Sequence, residues 1–163
     1  MVYNLLSLYE LYRMIGTWAN PVWYFFHGLA EKVDPTFFNA NRGACLKLIK
    51  DICQILPCPM CRVAATRYMQ KITVRHIPTK EVFKDVIFKF HNYVNKKTYK
   101  RQFPKENLII YKRLRFIKTT QDMCYQLKRF NRGGLFRLRL GNNSDQYINQ
   151  IENSVRAHIK YFI

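Results

Sequence analysis

The chain has 163 residues, 48% of them apolar and 15% aromatic, enough to bury the core of one domain and too apolar for a disordered or low-complexity chain. Lys and Arg number 28 against 10 Asp and Glu, a formal charge of +18. No apolar run approaches the roughly 18 to 20 residues that span a bilayer, and five cysteines are too few and too odd for the disulfide scaffold of a small secreted domain. The charge is uneven: net +1 over residues 1–60, +12 over 61–115 and +5 over 116–163.

In chain order, the N-terminal stretch lacks a basic start, and Asn4, Glu10 and Arg13 interrupt its apolar residues, so it reads as an amphipathic helix and not a signal peptide. Leu5, Leu8, Leu11, Tyr12 and Ile15 set a helix over residues 3–15, with a break at Gly16, Asn20 and Pro21. A second helix starts near Pro21, where proline suits a first turn, and stops by Pro35. Leu48, Ile49, Ile52, Ile55 and Leu56 form the buried stripe of a helix from Cys45 to Leu56, closed by Pro57. Another helix runs from Pro59 to about Ile72. Thr79 caps the next, whose stripe includes Val82, Phe83, Val86, Phe90 and Val94. Residues 1–115 thus read as one all-α domain, a bundle of four or five helices. Beyond Phe116, glycines flank residues 135–140, where apolar side chains alternate with Arg137 and Arg139 as in a short strand with a basic face. A last helix spans Gln146 to Phe162. Residues 116–163 read as a small basic appendage of unassigned role.

The run Leu56-Pro57-Cys58-Pro59-Met60-Cys61 carries chemistry. Pro57 ends one helix and Pro59 suits the first position of the next, which puts Cys58 at or near the N-cap. Cysteines three apart there can close a small disulfide, and the helix N-terminus favours a thiolate at the first. Cys58 is then the exposed, exchanging thiol, with Cys61 one turn deeper. Zinc is the competing reading, but His76 and His91 lie too far apart for a finger and no second Cys-x-x-Cys exists. Cys45 and Cys53 read as buried apolar residues, and Cys124 as a free thiol, with pairing to Cys45, to Cys53 or across a dimer as the alternatives.

Two further motifs frame the pair. Trp23 and His27 stand at i and i+4 on one helix face, a spacing that core packing also produces. His91 and Asn95 share another face, with Asn92, Lys97 and Lys100 nearby, a set able to supply stacking, hydrogen bonds and phosphate charges together. In this order, W-x-x-x-H, C-x-x-C and H-N-x-V-N-x-K-x-x-K, the chain resembles the Erv/ALR family of FAD-linked sulfhydryl oxidases over roughly residues 16–115. Lacking a second cysteine pair after the His-Asn motif, it looks most like the compact forms encoded by large DNA viruses.

That resemblance implies an FAD-binding helical bundle in which Cys58 exchanges with protein dithiols and Cys61 faces the flavin. It implies that Trp23 and His27 contact the flavin or adenine, that His91, Asn92, Val94 and Asn95 line the adenine and ribose side, and that Lys97 and Lys100 meet the pyrophosphate. Tyr111 is the aromatic that would cover the cofactor. Departures from the family pattern are Val86 for a Trp, Arg101 for a Pro, Lys105 near a usual Cys, and Ala19-Asn20 for Gly-Arg. The implied partners are client or carrier proteins with reduced dithiols, molecular oxygen and a second copy in a homodimer, with no membrane insertion and no metal. The implied location is host cytoplasm or virion, with the mitochondrial intermembrane space as the alternative. Two other functions compete: a zinc-stabilised adaptor and a nucleic-acid-binding module, the latter drawing on Lys128, Arg129, Arg132, Arg137 and Arg139 interleaved with Phe130 and Phe136.

Overall fold

A computed structural model describes residues 5–132 and 144–163, with side-chain detail from Thr17 onward. The described residues form six α-helices: α1 Leu5–Lys32, α2 Pro35–Gln54, α3 Pro59–Gln70, α4 Lys80–Lys97, α5 Phe116–Arg132 and α6 Ser144–Ala157. Short 3-10 segments cover Val74–His76, Lys105–Arg113 and Ile159–Tyr161. The all-α expectation holds; the short strand expected over residues 135–140 lies outside the described residues.

The break expected at Pro21 does not occur. Pro21 lies inside a continuous α1, where it withholds one backbone donor at a cost of about 3 kcal/mol. Burial offsets that cost, because Trp18, Ala19, Val22, Phe25 and Phe26 on either side of the proline are all buried. Pro35 in turn does not merely end a helix but starts α2, with the Asp34 carboxylate accepting the Phe37 N–H at 2.8 Å. α2 therefore begins ten residues before the expected Cys45. It kinks at Asn41 (φ −123°, ψ 22°), whose side-chain amide donates to the Phe37 carbonyl at 2.9 Å. Thr79 caps α4 as expected, accepting the Val82 N–H at 3.3 Å.

The expected appendage is built into the body of the molecule. α5 packs along α1, and its inward stripe of Phe116, Thr120, Met123, Leu127 and Phe130 has the spacing of a core-facing helix. Gly28 permits the approach, since a Cβ there would lie 3.2 Å from the Phe116 ring. α6 covers α5 with Ile148, Ile151 and Val155, and the chain beyond its carboxyl end clips back onto α1. Tyr161 and Lys32 carbonyls accept the Asp34 and Ile163 N–H groups at 2.7 and 2.9 Å. Among the described residues no helix is long and apolar enough to cross a membrane.

The end of α4 bears directly on the site. The Lys100 N–H returns to the Asn95 carbonyl at 2.8 Å, closing a Schellman turn around Tyr99 at φ 56°. A tyrosine in this left-handed region is strained, and its side chain, 93% exposed, makes no packing contact that would repay the strain. Replacing Tyr99 with glycine is expected to raise stability by about 0.5–1 kcal/mol, read as a higher melting temperature. A lower one would show that the turn is not strained.

Candidate functional site

Cys58 and Cys61 form a disulfide across the first turn of α3, with Cα atoms 5.2 Å apart. Cys58 is the N-cap, as the flanking prolines predict, and its Sγ accepts the Cys61 N–H at 3.2 Å. Cys58 is not exposed as expected: it is 6% accessible and Cys61 5%. Leu56 and Pro57 tuck the turn inward, and Arg62 folds back over it to donate to the Leu56 carbonyl at 3.3 Å. The two sulfurs are distinguished by what they face. Cys61, and not Cys58, lines an inner compartment with Trp18, Trp23, Phe90, Val94 and Lys100.

This compartment continues into an outer one lined by Tyr24, His91, Arg101, Phe103 and Tyr111, the two sharing Ala19, Trp23, Asn95 and Lys100. Together they make one trench running from Cys61 between α1 and α4 to the 3-10 segment. The inner part encloses about 20 Å³ and the outer about 250 Å³.

Flat rings dominate the outer end. Trp23 stacks on His91 at 3.9 Å and 12°, and Phe103 covers the other side of His91 at 4.7 Å. Behind them, His27 stacks on Tyr111 at 4.4 Å and 8°. The His27 Nε2 and His91 Nδ1 atoms lie 3.0 Å apart, so one ring donates to the other. Burial pushes the His27 pKa down to about 3. Burial, and then the charges of His27 and Lys100, lower that of His91 to about 3 as well. Both rings are neutral at pH 7. Burial also lowers the Lys100 pKa.

The structure brings together most of the residues singled out in the sequence, in unequal roles. Trp23, His91, Val94, Asn95 and Lys100 line the trench. His27 stands one layer back, setting the His91 ring. Asn92 does not line it: its amide donates to the Phe103 carbonyl at 3.1 Å and accepts the Phe103 N–H at 2.7 Å. Asn95 Nδ2 likewise donates to the Arg101 carbonyl at 3.0 Å. The two amides thus staple residues 101–103 over the outer compartment. Lys97 stands outside, its ammonium 5.7 Å from the centre of the Tyr93 ring, because the Schellman turn carries Lys100 inward in its place.

Arg101, Phe103, Trp18 and Phe90 also line the trench, and nothing in the sequence marks them as site residues. Phe90 belongs to the α4 apolar stripe and reads as core, while Phe103 sits in an irregular segment where no periodicity marks it.

The remaining thiols lie elsewhere. Cys45, Cys53 and Cys124 are free and buried, with pKa values raised by burial, to about 11 for Cys45. They are held as thiols, unlike a reactive cysteine. Among the described residues no group of three or more His, Cys, Asp or Glu comes together to hold a metal. His76, a candidate zinc ligand in the sequence, instead accepts the Thr73 N–H at 3.0 Å.

The donor set of the trench fits a flavin dinucleotide: aromatic planes at one end, cationic Lys100 and Arg101 along its side and a disulfide sulfur at the other. The Erv1/Alr family model matches residues 20–115. No curated protein and no solved structure matches the chain. The family match covers more than half of the chain and encloses both cysteines and every trench residue except Trp18 and Ala19, so the protein belongs to the Erv1/Alr family, whose members are FAD-binding thiol oxidases.

Proposed function

We propose that the protein is an FAD-dependent sulfhydryl oxidase that forms disulfides in client or carrier proteins, with oxygen as the final acceptor and hydrogen peroxide as the product. One observation carries this reading: a disulfide at a helix N-terminus whose second cysteine lines the same trench as Trp23, His91 and Lys100. A client thiolate attacks Cys58 Sγ, the S–S bond breaks, and Cys61 leaves as a thiolate. The client's second thiol, deprotonated, displaces Cys58 and closes the client disulfide, leaving two electrons on the Cys58/Cys61 dithiol. The Cys61 N–H and the α3 N-terminus stabilise negative charge on Cys58 Sγ. When bound, FAD supplies a two-electron acceptor that oxygen reoxidises.

The chain's own part is to place these groups. Lys100 and Arg101 bring positive charge to the middle of the trench, where a pyrophosphate would lie, and replace the expected Lys97–Lys100 pair. The stapled loop of residues 101–103 lays Phe103 against His91 at the aromatic end. A homodimer, which the family suggests, belongs to the same proposal.

The purified protein is expected to show the visible flavin absorption bands and to consume oxygen when given dithiothreitol, with one peroxide formed per disulfide. Absence of those bands after incubation with FAD would refute the reading.

A further inference from the structure

Among the described residues none of 116–163 lines the trench, and Lys118 at the start of α5 meets Arg113 and Arg115 at a second groove. This groove, about 500 Å³, lies between α1 and the start of α5 and is bounded by Tyr24, Arg113, Arg115, Lys118 and Tyr125. Tyr24 also lines the outer compartment of the trench, so the groove opens at the end remote from Cys61. α5 extends it outward: Lys118, Asp122, Tyr125, Arg129 and Arg132 are all exposed and recur every three or four residues, which puts them on one face.

The charges on that face are not equivalent. Lys118 is paired with Asp122 at 2.8 Å and Arg132 with Asp145 at 2.6 Å. Arg113, Arg115 and Arg129 have no ion pair or side-chain hydrogen bond among the described residues. Between them stands Tyr125, 64% exposed, with Tyr24, 39% exposed, in the groove below. From Arg115 to Arg129 the helix rise amounts to about 20 Å.

We propose that this face, Arg113, Arg115, Tyr125 and Arg129 over the groove, is a binding site for single-stranded nucleic acid, separate from the thiol chemistry. Uncompensated guanidinium groups on either side of an exposed tyrosine, with a second tyrosine in the groove, match a strand that offers phosphates and stackable bases together. An acidic peptide would use the charges and leave the rings idle. Distance from Cys61 also argues against a docking surface for a client about to exchange thiols. The binding site does not depend on the oxidase reading; only the activity control in its test rests on that reading, so loss of strand binding and lack of flavin are separate outcomes.

The test is fluorescence polarisation of a labelled twelve-nucleotide oligothymidine with the full-length, flavin-loaded protein. Binding is expected to weaken with salt, log K against log salt falling with a slope of about −2 for three phosphates contacted. Arg113→Glu with Arg115→Glu is expected to weaken binding at least tenfold. Tyr125→Ala is expected to weaken it about tenfold, through lost stacking and with the salt slope unchanged. Reversal of two exposed charges elsewhere, Lys71→Glu with Arg75→Glu, is expected to change it less than twofold, and all variants are expected to keep their flavin and oxidise dithiothreitol at the wild-type rate. The proposal is overturned if the oligonucleotide does not bind saturably, if the remote charge reversal costs as much as the one in the groove, or if Tyr125→Ala binds as the wild type does. It is equally overturned if polyglutamate of matched charge displaces the strand stoichiometrically, which would mark an acidic-protein surface.

Discussion

Replacing Cys61 with serine is expected to abolish dithiol oxidation, by more than about a thousandfold, while FAD stays bound and the fold is retained. The loss is this large because no other thiol can substitute: Cys45, Cys53 and Cys124 are buried and held protonated. Serine is smaller than cysteine by little and keeps the helix start intact, since the cap contact is made by Cys58 Sγ to the Cys61 backbone N–H. Cys58→Ser should be equally inactive, yet the two variants differ in a second measurement. In Cys61→Ser the surviving Cys58 sits at the N-cap of α3, where the helix dipole favours its thiolate. In Cys58→Ser the surviving Cys61 faces the inner compartment, which the FAD ring would cover. With a disulfide reagent such as dithiobis(nitrobenzoate), Cys58 is expected to react at least about tenfold faster than Cys61. The opposite order would reverse the exchanging and trench-facing roles.

Acidification is expected to lower stability steeply through the His27–His91 pair. Both rings have an ordinary pKa of 6.5 that burial takes down to about 3 in the folded state. The unfolded chain therefore takes up protons first, so the contribution is complete above pH 6.5 and is lost as the pH falls toward 3. Well below pH 6.5, each further drop of one pH step costs about 1.4 kcal/mol for each ring. Between pH 7 and pH 5.5 the two together should cost about 2.5 kcal/mol, or roughly 5–10 °C in melting temperature for a chain of this size. Protonation of the ring that accepts also removes the lone pair its partner donates to, and a charged His91 faces the Lys100 cation. Thermal melts from pH 7 to pH 5 check this. A double variant, His27→Asn with His91→Asn, removes both titrating groups and should flatten the slope; a slope as steep as the wild type's would assign it to other groups.

The redox pair and the histidine pair are written in the chain in different ways. Cys58 at the N-cap was legible because Pro57 and Pro59 dictate local backbone geometry, and local geometry is what sequence encodes most directly. The faces shared by Trp23 with His27, and by His91 with Asn95, were legible for the same reason, since helical period alone sets them. The contact between His27 and His91 joins residues far apart in sequence, and no period in either helix announces it. Lys97 shows the limit of reading a motif as a list of ligands. Close to it, Tyr99 enters the left-handed region, the chain reverses, and Lys100 alone of the two lysines reaches the trench.

By itself, then, the sequence determined the helical class, the redox pair and its helix start, and which side chains share a face. Only the tertiary structure decided that α1 runs unbroken through Pro21, that Cys58 is tucked inward, that Phe103 joins the aromatic end, and that α5 and α6 belong to the core. The physical reason is common to all four. Propensity and period act over a few residues and are worth about a kilocalorie per mole each, whereas burying large aromatic side chains between distant helices contributes several times that. Where the two conflict, as at Pro21, packing prevails.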